Sequence, residues 1–558
     1  MSAAPFHDLA PTFQILLGEG RLDELAILLE RRTWQVERLR DWSDALALLR
    51  RLTSQTLEAH PILAVVYART LLNNRLEQEC LHFIERVLPQ LSAPERDAMW
   101  VDYALVLSNR GREAEAFDGL SAVLPRLEGA LVGVALRRLG SCAYTLGKPW
   151  QQHFSESRRV LSSPARMWGL TLSEEAYCFC QAGDYDTAQK LWLEALPCFA
   201  KDPYFKSWIQ YNLGITTLRR GDFYEAHRHL TRAVQHSEQP EAQPFRGVAL
   251  LGLALLRRTR GEWVRAAQLY QDALKHTTEL AQIRTVEVAY LKCLRLSGDR
   301  GEALERATAA CLRFPDHAPL KVAKAAVHLA WQQTAQAHSE LEDLEPHTLM
   351  ASARWLYALV KGELHRQAGN MEAMHTALRD VPLETLQVRE EIRFFPELFS
   401  ELSKCRPVPE ALEVTPLTVE VMAEGPVGVR VSFEAVRLPA TGRAAELLLV
   451  LLEQGGHATL DTLITKLFNE HSDERTPQGR ERRRKAVTAF VRELRAALGW
   501  EGSVRFERSS GIYQLDRSQD VSWVYDIDER RAQNCVPRAF ASGIDSNWVA
   551  DLRELWDI

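Results

Sequence analysis

GDYDTAQKLWLEAL (Gly183–Leu196), GDFYEAHRHLTRAV (Gly221–Val234), GEWVRAAQLYQDAL (Gly261–Leu274) and GDRGEALERATAACL (Gly298–Leu312) are four versions of one phrase. Each opens with a glycine and an acidic residue, and each carries alanine five residues after the glycine, at Ala188, Ala226, Ala266 and Ala303. Glycine relieves the left-handed backbone of a tight turn between helices. The acidic residue then stands at the positive N-terminus of the next helix. The small alanine lets two helices approach closely.

Working outward, Gly111 and Gly147 extend the series, with separations of 36, 36, 38, 40 and 37 residues from Gly111 to Gly298. Ala116 keeps the same offset from its glycine. Asn74 continues the series backward and Gly369 forward, with a glycine-free turn expected near Gln333. A period of this size means stacked helical pairs in a solenoid, assigned here to residues 1–410. The upstream stretch WIQYNLGITTLRRG supplies a first helix through Trp208, Leu213 and Gly214. Together these residues resemble the tetratricopeptide repeat, with Gly214, Gly221, Phe223, Ala226, Leu230 and Ala233 at that family's packing positions. The match is good over about residues 170–315 and looser toward both ends. The resemblance implies a superhelix whose concave surface takes a peptide, a protein or a small effector. Ten of the fourteen tryptophans lie in the array and are expected to pack between helices.

The helical texture stops at Pro407 and Pro409. Apolar and polar residues then alternate through Leu417, Val419 and Val421, and again through Val427, Val429, Val431 and Phe433, which is the period of strands. Two helical patterns follow, GRAAELLLVLLEQGG and TLDTLITKLF, then a polar loop from Asn469 to Gly479. RERRRKAVTAFVRELRAALG (Arg480–Gly499) reads as one amphipathic helix. Its apolar face is Val487, Phe490, Val491, Leu494 and Leu498; its other face carries Arg484, Lys485, Thr488, Arg492 and Arg495. VRFERSSGIYQLD closes the module as a hairpin with Arg508, Ser509, Ser510 and Gly511 at its tip.

This order of strands, helices and hairpin resembles the winged helix-turn-helix of the OmpR/PhoB type, also found in the antibiotic regulatory proteins related to AfsR. The resemblance covers about Leu417–Asp516, within a module placed at 414–517. It implies that the basic helix enters the DNA major groove, with Thr488 and Arg492 near base edges. Arg484, Lys485 and Arg495 would then lie near phosphates, and Arg508 and Ser509 would place the wing at the minor groove; Arg482 and Arg483 are further candidate DNA contacts from the basic run itself. Glu493 departs from the arginine that response regulators carry there, and Ser-Ser-Gly-Ile-Tyr departs from their wing tip. The final segment, 518–558, is expected to be a short helical tail. Its RAFASGIDSNWVADLRELW (Arg538–Trp556) resembles the opening of the bacterial transcriptional activator domain.

The four basic residues Arg482–Lys485 sit at a helix N-terminus, where positive charge opposes the macrodipole; bound phosphates would offset that. Charge is distributed accordingly. From Val427 to Arg517 there are 15 Lys and Arg against 12 Asp and Glu, a balance of +3, so with −6 overall the remainder carries −9. An acidic body with a mildly basic end fits a DNA-binding module on a regulatory part.

At 558 residues the chain suits an array plus a small domain. With 46% hydrophobic and 25% charged residues it is compositionally an ordinary globular protein. It has no apolar run of membrane-spanning length and no basic segment after Met1, so a cytoplasmic location is expected. The nine cysteines lack metal-ligand spacing, and Cys178 and Cys180 are expected to be core thiols. There is no receiver domain, and GSCAYTLGKP misses the spacing of a phosphate-binding loop. His227 and His229, two apart on a helix, do not share a face for metal binding. Glu174 and Glu175 are expected on a helix surface. With no catalytic constellation and no cofactor motif, the chain reads as non-enzymatic.

The fold expected is mainly α: a tetratricopeptide-like solenoid followed by a small α+β winged helix-turn-helix domain. The function expected is a transcriptional regulator that binds double-stranded DNA, with an effector on the array and a homodimer as the DNA-bound form. The alternative is an interaction scaffold whose winged helix contacts protein, such as RNA polymerase.

Overall fold

A computed structural model describes residues 6–161, 165–413, 417–432, 434–468, 477–518, 521–532 and 539–556. Phe433, most of the polar loop before the basic helix (469–476) and Arg538 lie outside the described residues.

Helical pairs follow the sequence period. One repeat is formed by the helices Pro203–Arg220 and Phe223–Ser237. Between them Gly221 adopts φ 90° and closes the first helix through its N–H to Leu218 and Thr217 carbonyls. The next residue, Asp222, caps the second helix by accepting from Glu225 N at 3.1 Å. Asp184, Asp299 and Asn370 cap their helices in the same way, at 3.1, 3.2 and 3.1 Å. So the aspartates of the phrase act first as hydrogen-bonding caps, each worth about 1 kcal/mol, whereas Glu262 makes no such cap and pairs with Arg257. Gly214 marks the close approach: a Cβ there would stand 2.5 Å from Leu230 Cγ. Ala226, Leu230 and Ala233 are fully buried across from it.

Every expected turn glycine from Gly111 to Gly369 has positive φ. The two turns without glycine are shifted by one residue from the sequence reading. The left-handed position is Arg75 (φ 61°), not Asn74, and Gln332 (φ 57°), not Gln333. Asn74 instead accepts from Ser43 and donates to the carbonyls of Trp42 and Thr70.

The chain divides into two compact units, Met1–Gly252 and Leu253–Ile558. This boundary falls inside the array, not at Pro407–Pro409, because the α+β module packs with the second half of the array in one unit. In the first unit the N-terminal helices meet the Pro203–Arg220 helix over a long sequence separation. Asp202 accepts from Leu39 N at 3.1 Å and pairs with Arg166 at 2.6 Å. In both units the first helices of successive repeats touch one another as well as their own partners. Within each unit that puts the first helices on one continuous inner rank.

Several side chains refine the expectations. Cys178 and Cys180 are buried free thiols. Trp192 is fully buried, whereas Trp331 is 43% exposed. Glu175 is not a surface residue: it is buried, 3.3 Å from Arg158, and burial raises its carboxyl pKa. Glu174 is half-buried beside Arg137 at 3.2 Å. His229 is buried against Gln210 at 2.7 Å, and burial pulls it down to about 4. Among the described residues no helix is long and apolar enough to cross a membrane.

The C-terminal module holds two sheets. One runs β3-β2-β1-β7, from Glu434–Ala435, Gly428–Val431, Leu417–Met422 and Val521–Tyr525. β1 pairs antiparallel to β2 (Val419 opposite Val431) and parallel to β7 (Val419 opposite Trp523). The other runs β4-β6-β5, from His457–Thr459, Ile512–Leu515 and Val504–Glu507. Three helices, Arg443–Glu453, Leu460–Leu467 and Pro477–Leu498, pack beside these sheets. The helices Leu460–Leu467 and Pro477–Leu498 are followed by the β5–β6 hairpin, in a small α+β module.

The tail corrects the sequence reading. It begins with the strand β7, not a helix, and joins the module's core. Phe540, Ala541, Ile544, Trp548 and Val549 are buried there. Trp548 Nε1 donates to the buried Glu446 at 3.0 Å, and Asp526 accepts from the N–H groups of Ala423 and Glu424. The physical reason is that β1 needs a second neighbour, since an uncovered strand edge leaves backbone groups unpaired.

Candidate nucleic-acid interface

The long helix Pro477–Leu498 buries the face the sequence marks. Val487, Val491, Leu494 and Leu498 are at most 3% exposed, and Phe490 stacks on Phe468 with ring centroids 6.2 Å apart. Burial of that stripe is what holds the helix in place. The opposite face is polar and open: Arg482, Arg484, Lys485, Thr488 and Arg492 are all exposed.

Their local partners differ. Arg484 donates to both oxygens of Glu481, at 2.8 and 2.9 Å, and Lys485 lies 4.0 Å from the same carboxylate. These contacts are solvent-exposed, so a stronger anion can displace them. Thr488 Oγ1 donates back to the Arg484 carbonyl at 3.0 Å. Arg483 is half-buried, its guanidinium 5.6 Å from the Phe468 ring centre. Arg480, one turn earlier, pairs with Asp461 of the preceding helix at 2.6 Å.

Arg495 departs most from the phosphate role expected for it. Its Nε and Nη2 donate to the Val504 carbonyl at 2.8 and 2.5 Å, and Nη1 reaches Glu501 at 2.5 Å. The residue fastens the start of the hairpin to the long helix. At the far end of that hairpin Arg508 and Ser509 are exposed beside Gly511, whose φ is 67°. Two hairpin residues escaped the sequence reading. Arg505 is exposed 3.6 Å from Asp516, and Phe506 is 42% exposed beside the Tyr513 ring. Strand alternation alone would turn one of them inward. Both are exposed on the edge strand β5.

The other end of the long helix has a different neighbourhood. Arg265, Glu434, Arg437, Glu493, Ala496 and Ala497 line a cleft of about 490 Å³ with β3. The array reaches the module here. Arg257, at the end of the helix Arg246–Thr259, donates to both oxygens of Glu434 at 2.7 and 2.5 Å. It also pairs with the buried Glu262 at 3.0 Å. Arg265 is 3.7 Å from Glu434, and burial together with the Arg257 charge pulls it down to about 10. Glu493 therefore faces an arginine-lined cleft shared with the array, which gives a carboxylate at that position a local use.

No family model matches the chain, and no curated protein matches it. Solved structures do. The Rap protein complexed with competence and sporulation factor is 13% identical, over 68% of this chain and 99% of that one, with a TM-score of 0.43. NprR in complex with its cognate peptide NprX is 12% identical, over 65% and 96%, with a TM-score of 0.41. A tetratricopeptide repeat protein from Parabacteroides merdae is 14% identical, over 47% and 98%, with a TM-score of 0.36.

Proposed function

We propose that the chain is a non-enzymatic transcriptional regulator that binds double-stranded DNA through its C-terminal module. The observation that carries this reading is the open polar row Arg482, Arg484, Lys485, Thr488 and Arg492 on a helix anchored along its opposite face. A helix of this width fits the major groove, and guanidinium groups can bridge phosphates or the acceptors of guanine. The exposed tip residues Arg508 and Ser509 supply a second contact, at a hairpin that Arg495 fixes to the helix. Resemblance to OmpR/PhoB-type modules supports the same docking. The solenoid is then the part that receives a signal, and the protein works in the cytoplasm beside its DNA.

A second reading has its own support. Glu481 pairs with Arg484, and Glu493 lies on the same helix. These carboxylates favour a scaffold whose module contacts protein, RNA polymerase included. The salt dependence of DNA binding by the full chain separates the two. Each phosphate contact adds about −0.9 to the slope of log K against log salt. Replacing Arg484, Lys485 and Arg492 by glutamate should abolish specific binding and flatten the slope. Unchanged affinity in that variant would overturn the assignment of the long helix.

A further inference from the structure

After the last repeat the chain turns back, and the segment Gln387–Phe395 (QVREEIRFF) lies on two inner-rank helices, Arg246–Thr259 and Leu280–Ser297. It is held by charge, not by apolar contact alone. Arg258 donates to both oxygens of Glu390 at 3.1 and 3.0 Å, and Thr259 Oγ1 adds a third bond at 2.9 Å. Lys292 stands between two carboxylates, 2.7 Å from Glu390 and 3.1 Å from Glu391, and donates to the Gln387 carbonyl at 3.0 Å. Arg295 reaches both oxygens of Glu391 at 2.7 Å, and its guanidinium sits 4.1 Å from the centre of the Phe394 ring. The side chains of Arg258, Arg295, Glu390 and Glu391 are at most 7% exposed.

This is the way a helical groove grips a peptide, with the peptide supplied by the chain itself. The fit is incomplete. Both bonds to Glu391 come from Arg295 Nη2, and Nη1 is buried without a hydrogen-bond partner among the described residues. A buried donor left unmet is unfavourable, and more so when it is charged. The clamp can therefore accept one more oxygen than the segment presents.

We infer that Arg258, Lys292 and Arg295 form a binding site for an acidic peptide with two adjacent carboxylates followed by aromatic residues, occupied in cis by Glu390–Phe395. The site rests on the signal-receiving half of the reading above and not on DNA recognition. Its place in the fold makes occupancy consequential. Arg258 grips the segment while its neighbour Arg257 grips Glu434 of β3, so both contacts hang on the last turn of one helix. A trans peptide must compete with a tethered segment whose effective concentration is of millimolar order. Weak binding to the unaltered chain follows, and strong binding once the cis segment is weakened.

The test uses the full chain without DNA and a fluorescent synthetic peptide of sequence LQVREEIRFF. The double variant Glu390→Gln/Glu391→Gln should bind it at least tenfold more tightly than the unaltered chain. Glutamine in place of both peptide glutamates, or Lys292→Ala added to the variant, should reverse the gain. A natively folded double variant that binds no better than the unaltered chain, or binds both peptides equally, overturns the site. Should the double variant not fold, hydrogen exchange on the unaltered chain decides. Faster exchange in residues 387–395 with millimolar peptide supports the site, and no change at that concentration overturns it. Neither readout involves DNA, so a failed DNA assignment leaves this result interpretable.

Discussion

Two groups of basic residues in this chain live under opposite physical conditions. Arg258, Lys292 and Arg295 are buried on the array's inner helices and matched to carboxylates on a returning segment. Arg482, Arg484, Lys485 and Arg492 are exposed on one helix face. Buried charges must be paired, because desolvation costs several kcal/mol per ion. Exposed charges are cheap to keep and are screened by salt. The buried set is therefore a fixed lock with a specific key, and the exposed set is a reserve of charge for a polyanion.

The comparison breaks most visibly if one partner of the buried set is removed. Arg258→Ala leaves Glu390 buried with the Lys292 charge and the Thr259 hydroxyl as its partners. It should lower the stability of the second unit by about 3–5 kcal/mol, read by urea unfolding followed through tryptophan fluorescence. A loss below about 1 kcal/mol would place these charges in effectively wet surroundings.

Acid sharpens the same contrast. Burial alone would raise the carboxyl of Glu390, but Arg258 and Lys292 hold it down to about 2. The groups facing it are Arg258, Thr259 and Lys292, with Tyr270 and Cys293 close enough to feel its charge. Its folded pKa lies below the unfolded value of about 4.3, so the stabilisation is present above that pH and is lost as pH falls toward 2. The acid-labile part is roughly 3 kcal/mol. The stability difference between the unaltered chain and Glu390→Gln should be constant above about pH 5 and shrink below it. A difference independent of pH from 6 to 3 would contradict the pairing.

Smaller effects mark ordinary sites. Asp222→Ala removes one helix cap and should cost about 1 kcal/mol in thermal unfolding. Lys485→Ala, on the exposed face, should change stability by less than about 0.5 kcal/mol, yet reduce the salt slope of DNA binding by about 1. A large stability loss there would mean that the helix face is structural.

How much of this was legible in the sequence depends on the range of the interactions. The solenoid was legible because glycine turns and alanine contacts are local and repeat. The left-handed residues Arg75 and Gln332 lie one position after Asn74 and one before Gln333, because without glycine no residue type marks the left-handed position. The buried stripe of the long helix was legible from its spacing. The engagement of Arg495 with the Val504 carbonyl was not, since it depends on where the hairpin returns. β7 was missed because five residues pairing in parallel across about a hundred positions leave no local signature. The Glu390–Glu391 pair reads locally as a solvated surface. Only the fold brings Arg258, Lys292 and Arg295 to it.

The central claim is that the exposed basic helix reads DNA. It is tested most directly by selecting genomic fragments with the full chain at about 0.15 M salt, beside the Arg484→Glu/Lys485→Glu/Arg492→Glu variant. The account predicts a shared sequence motif among fragments retained by the unaltered chain and none retained by the variant. Equal retention by both, or retention by neither, would contradict it and leave the module as a protein-binding surface.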